Sequence, residues 1–167
     1  DEIHLYPLSF SEFMQGYEGD RYKGWREYYT YGGLPLVLSL ETEQKKAEYL
    51  KNLYESVYLV DIIERNRIRN KIEFDELTRI VASSIGSPCN PRKLSNTFKS
   101  VKNVPLSQGT ITKYLSYMED AFVVERSIRY NIKGKKYINT LSKYYFSDMG
   151  VRNALLGFRQ QEENHIM

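Results

Sequence analysis

From residue 43 to residue 121 apolar side chains recur at three- and four-residue steps, and then the period changes. The segments FVVERSIRYNI (122–132) and KYINTLSKYYF (136–146) are rich in β-branched and aromatic residues, and the turn signal NIKGKK separates them. That is the pattern of a β-hairpin. A single hairpin behind a succession of helices restricts the fold class to mainly α with one small β-hairpin.

The helices can be placed from their ends. Residues 3–6 read as an extended strand that Pro7 ends. Ser9 stands three residues before Glu12, the reciprocal capping-box spacing, and opens a first helix. A second is expected over 25–31, stopped by Gly32 and Gly33, because glycine takes positive φ without a Cβ clash. LPLVLSL (34–40) reads as a buried connector. The longest helix is expected over 43–66, with Ala47, Leu50, Tyr54, Val57 and Asp61 on one face and Leu53, Val60 and Ile63 widening it.

Three shorter helices follow. The first covers 73–85 and ends at Gly86. The second opens on Asn90, a cap residue, with Pro91 at the first helical position. The third begins at Ser107 and turns Ile111, Leu115, Met118 and Phe122 to one side. Ser147 and Asp148 cap a last helix that Gly157 ends. These elements divide the chain into a helical N-terminal subdomain (1–71), a winged helix-turn-helix domain (72–147) and a C-terminal helix (148–167).

Composition narrows the class. With 41% hydrophobic and 27% charged residues, the 167-residue chain can bury a core without metal or disulfide. Cys89 is its single cysteine, which points to a reducing, cytoplasmic compartment. Two histidines and one cysteine fall short of a usual zinc ligand set. The apolar run at 34–40 is too short to span a bilayer, so no membrane partner is expected. The chain starts at Asp1 without an initiator Met and reads as part of a longer protein.

Charge is unevenly spread. Residues 87–143 hold eleven Lys and Arg against three acids, a net +8, while the whole chain is +3 and the remainder therefore −5. The basic part calls for an anionic partner or complements the acidic part. Three helices and a hairpin in that order describe a winged helix, whose third helix can enter the major groove of double-stranded DNA. Its outward positions would be Ser107, Gln108, Thr110, Thr112, Lys113 and Ser116. The wing would bring Arg126, Arg129, Lys133, Lys135 and Lys136 to phosphates, with Gly134 allowing close approach. The third helix lacks an outward arginine for bidentate guanine reading, so weak sequence preference is expected. Protein docking is the alternative use of the same helix string.

Other candidates carry less. GKK at 134–136 is not a phosphate loop, because position 129 is Arg rather than Gly and no Ser or Thr follows Lys135. Asp61 with Arg65, and Asp148 with Arg152, have i,i+4 spacing and read as structural pairs, with Asp61 expected buried. Tyr28, Tyr29 and Tyr31 read as cover for half-buried surfaces rather than base-stacking platforms. His4 and His165 acquire no role. The fragment itself is expected to be non-catalytic, without a metal or cofactor site.

Several stretches together resemble a known group. IHLYPLSFSEF, YYTYGGLP, YLKNLYESVYLVDIIERNRIRN, ASSIGSP, TITKYLSYMEDAFVV and YYFSDMGVRNALLG are similar, in matching order, to the C-terminal half of prokaryotic predicted AAA+ superfamily ATPases. The resemblance implies a parent protein that binds and hydrolyses ATP with Mg through an N-terminal core, none of which lies in this chain. It implies that 1–71 follows that core, that the core is itself a partner, and that a nuclease-like domain follows residue 167. Glu162 and Glu163 are not read as nuclease carboxylates. Oligomeric state stays open.

Overall fold

The computed structural model of the protein describes residues 4–128 and 141–158. It is mainly helical with one two-stranded antiparallel sheet. The chain divides into two compact units, residues 1–61 with 146–167, and residues 62–145. The division sharpens the charge asymmetry. The second unit carries sixteen Lys and Arg against seven acids, a net +9, and the first carries eight against fourteen, a net −6.

The first unit begins with α1 (Phe10–Gly16), closed at its start by the expected capping box. Ser9 N–H donates to Glu12 Oε2 at 2.8 Å, and Ser9 Oγ accepts from Glu12 N. Residues 4–6 form no strand, a correction to the reading of their extended pattern. An extended segment becomes a strand only by pairing, and Leu8 N–H instead bonds Gly33 O at 2.8 Å. Helix α2 (Arg21–Tyr31) starts four residues before the expected position, because Asp20 caps it by accepting from Tyr22 N and Lys23 N. The connector at 34–40 contains a short helix, α3 (Pro35–Ser39), with Val37 buried and Leu36 half exposed.

Helix α4 (Glu43–Asn52) continues through a π-helical turn (Leu53–Tyr58) into α5 (Leu59–Arg65). That turn corrects the apolar stripe. A constant 3.6-residue step places Val57 and Asp61 inward, yet Val57 is 51% exposed and Asp61 is exposed. Leu50, Tyr54 and Ile62 are buried and Tyr58 half-buried, a four-residue step that the extra residue of a π turn produces. Asp61 is therefore not a buried carboxylate. Arg65, one turn on, is exposed as well.

Helix α9 (Met149–Leu155) packs in this first unit, most extensively on α2 and also on α4, rather than standing apart. Phe10, Phe13, Tyr17, Trp25, Tyr28 and Tyr29 form an aromatic cluster of edge-on and stacked rings with centroids 5.1–6.2 Å apart. Tyr29 and Tyr31 are buried within the unit.

The second unit contains α6 (Lys71–Ser83), α7 (Pro91–Lys102), α8 (Gln108–Asp120), and strands β1 (Val124–Ser127) and β2 (Lys143–Phe146), the last residue of β2 falling to the first unit. Phe74, Leu77, Phe98, Ile111, Leu115 and Met118 fill its core. Phe122 leaves the expected stripe: α8 has ended, φ is +55°, and the ring is 51% exposed. The hairpin turn NIKGKK lies outside the described residues. Among the described residues no helix is long and apolar enough to cross a membrane.

Candidate nucleic-acid interface

Helices α7 and α8 are joined by residues 103–107, and the connection is tightly held. Asn103 takes the left-handed conformation that ends α7, with φ +55°. Val104 N–H reaches back to Phe98 O, and Ser95 Oγ donates to Leu106 O at 2.5 Å. Leu106 is buried, so the turn is anchored by packing as well as by hydrogen bonds. The start of α8 is thereby presented at a defined angle.

Ile111, Tyr114, Leu115 and Met118 face inward on α8. Gln108, Gly109, Thr112, Lys113 and Ser116 are exposed. Two of the sequence-derived positions are spent locally. Ser107 Oγ accepts from Thr110 N at 3.0 Å and shares a bond with Thr110 Oγ1 at 2.9 Å, and Thr110 is half-buried. Thr112 Oγ1 donates to Gln108 O but keeps acceptor capacity. The outer face available to a ligand is thus Gln108, Thr112, Lys113 and Ser116.

Arg126 lies on β1, where its Nε donates to Ser142 Oγ at 2.8 Å. Burial raises the carboxyl of Glu119, and Arg126 sits close enough to oppose that rise. Its guanidinium is therefore engaged within its own unit. Arg129, Lys133, Lys135 and Lys136, with Gly134, lie outside the described residues, as do Glu162, Glu163 and His165.

Sequence reasoning passed over α7. Its Asn90 cap accepts from Arg92 N and Lys93 N, and Leu94 and Phe98 pack inward. The opposite side exposes Arg92, Lys93, Asn96, Lys99 and Ser100, and the helix holds no Asp or Glu. The signal was present as cations seven residues apart on a helix without acids.

The second polar cluster belongs to the first unit. Asp148 is buried and accepts from Gly33 N at 2.8 Å and Val151 N at 2.9 Å. Burial pushes its carboxyl above the usual range, with bonds from Val151, Gly33 and Gly150 N–H opposing. Arg152 is 1% exposed and donates to Asn153 Oδ1, while Asn153 Nδ2 donates to the carbonyls of Tyr29 and Thr30. Those carbonyls are the unsatisfied acceptors at the end of α2. Asp148 and Asn153 thus tie α9 to Gly33 and to the end of α2, with Arg152 buried beside them. Among the described residues no three His, Cys, Asp or Glu gather in a metal-binding cluster.

Residues 22–162 match the family described as Domain of unknown function (DUF8612), and the chain belongs to that family. An uncharacterized protein of Haemophilus influenzae is 36% identical over 161 residues, which is 93% of this chain and 40% of that protein. Uncharacterized protein MJ1544 of Methanocaldococcus jannaschii is 26% identical over 173 residues, 96% of this chain and 38% of that protein. The chain spans about two fifths of the length of these curated relatives. No solved structure matches.

Proposed function

We propose that the chain is a non-catalytic, cytoplasmic module of a longer AAA+-type ATPase, that residues 62–145 act as a winged helix, and that they hold double-stranded DNA with weak sequence preference. The observation that carries the DNA reading is the outer face of α8. Gln108, Thr112, Lys113 and Ser116 are exposed, polar and free of acids over the first turns, on the unit with a net charge of +9. The ATPase part rests on the sequence resemblance, and its ATP and Mg would lie outside this chain.

Gly109 adds a specific argument. Among the described residues a Cβ built there would meet only Ser107 Oγ at 3.7 Å, an ordinary contact, so their packing does not require glycine. Glycine in a helix costs up to about 1 kcal/mol relative to alanine. A close backbone approach by the bound phosphate strand supplies the reason for it. Gly109→Ala is expected to leave the thermal midpoint unchanged or slightly raised while weakening DNA binding severalfold. A variant that binds as well as the parent rules out this close approach.

The reading as a whole is tested by fluorescence anisotropy with two labelled 20-base-pair duplexes of unrelated sequence. Both should bind within a fewfold of each other. Affinity should fall roughly a hundredfold from about 50 to about 200 mM salt, as neutralisation of four or so phosphates requires. No binding at the lower salt overturns the DNA reading.

A protein-docking role is the second reading, favoured by an apolar pocket of about 310 Å³ between α6 and α7. Ile80, Phe98 and Val101 line it, with Val101 68% exposed. In that role the unit would pack on the parent's ATPase core or another subunit.

A further inference from the structure

We infer that the outward face of α7 is the part of the second unit that lies along the sugar-phosphate backbone of the duplex, with Arg92, Lys93 and Lys99 each neutralising a phosphate. This rests on the DNA reading above and assigns residues that the reading does not need.

Three observations carry it. First, α7 holds four cations and no acid. Lys102 is taken by Glu76 at 2.6 Å, whereas Arg92, Lys93 and Lys99 have no acidic partner among the described residues. Cations left unpaired within a unit that itself carries seven acids are available to an external anion. Second, helical geometry groups them. Arg92, Asn96, Lys99 and Asn103 recur at steps of four, three and four residues, and Lys93 and Ser100 flank that stripe, all exposed. Arg92 and Lys99 are seven residues apart, about 10 Å along the axis, which corresponds to about three phosphates of one strand at about 3.4 Å each. Asn96 between them is a short donor of the kind that bonds phosphate oxygens, while the Ser100 hydroxyl donates to Thr97 O.

Third, the face is fixed before anything binds. Phe98 is buried on the opposite side of α7, Asn90 caps its start, and Ser95 ties it to the turn before α8. Little backbone ordering is then left to oppose association. Arg126 is differently placed, since it already bonds Ser142 and faces Glu119. Backbone binding through α7 positions the module without reading sequence, which agrees with an α8 that lacks an outward arginine.

The experiment is the same anisotropy titration on the 167-residue chain, with Arg92, Lys93 and Lys99 changed together to Ala. A matched control changes Lys23, Lys45 and Lys51, exposed cations of the first unit, and so removes the same net charge. The α7 variant should lower the slope of log affinity against log salt by about 2.7, at about 0.9 for each phosphate that is no longer neutralised. Its affinity at about 0.1 M salt should drop at least about tenfold for both duplexes. The control should keep the parent slope. A parent that binds while the α7 variant keeps its slope overturns this inference and leaves the α8 reading intact. An equal loss in both variants also overturns it, because net charge alone would then account for binding. A parent that binds neither duplex overturns the DNA reading itself.

Discussion

Gly150→Ala is expected to destabilise the protein by about 3 kcal/mol or more, although alanine is the better helix former. A Cβ at residue 150 would penetrate the carbonyl carbon and oxygen of Tyr31 and lie 2.9 Å from Gly32 N. Separations under 3.0 Å are essentially never seen for real Cβ atoms. The obstructing atoms are backbone at the end of α2, so no side chain can swing aside. Relief requires α9 to move off α2, which would pull Asn153 Nδ2 from the Tyr29 and Thr30 carbonyls and Asp148 from Gly33 N. Overpacking alone costs about 1–3 kcal/mol, and each broken buried bond adds to it. The thermal midpoint should fall by at least about 6 °C, at roughly 2–4 °C per kcal/mol for a chain of this size. Gly109→Ala makes the opposite case, since among the described residues nothing obstructs its methyl. A Gly150→Ala protein that melts with the parent would show that α9 can shift freely, and the lock described for the first unit would be wrong.

The contrast between these glycines marks what the sequence can and cannot disclose. Helix starts were legible where the cap is local: Ser9 with Glu12, Asn90 with Pro91, Ser107 and Asp148 each bond backbone within three residues. Asp20 carries an equally local signal, and reading it would have placed α2 correctly. Helix α3 was harder, because its N-cap is Leu34, which makes no side-chain cap bond. The π turn at 53–58 leaves no composition signature, and a fixed period therefore misassigned Val57 and Asp61. Gly32 and Gly33 were legible as a helix stop, and Gly32 does adopt φ +81°. Their other duty was not legible, because Gly33 and Asp148 are 115 residues apart when they bond. The outward face of α8 followed from its period, whereas the local use of Ser107 and Thr110 followed only from coordinates.

Asp148→Ala should be comparably damaging, by about 3–5 kcal/mol. The carboxylate accepts from Gly33 N and Val151 N, with Gly150 N–H also directed to it, in a site that is 7% exposed. Each buried donor left without a partner costs about 1–3 kcal/mol, and the N-cap of α9 disappears as well. Release of a buried charge offsets part of that. Asp148→Asn should fall between parent and alanine. Its carbonyl can still cap Val151, but its NH2 would face Gly33 N–H, donor against donor. The asparagine variant also reads the ionisation of the site. Burial raises the carboxyl of Asp148 above its ordinary value of 3.8, so the folded chain takes up its proton more readily than the unfolded chain does. The stability this contributes is complete below the ordinary carboxylate range and declines as pH rises through the folded value. Asparagine does not titrate, so the stability gap between parent and Asp148→Asn should narrow from about pH 4 to about pH 7. Urea unfolding of both proteins across that range measures it. A gap that widens with pH would mean that the three N–H donors outweigh burial and hold the carboxylate ionised.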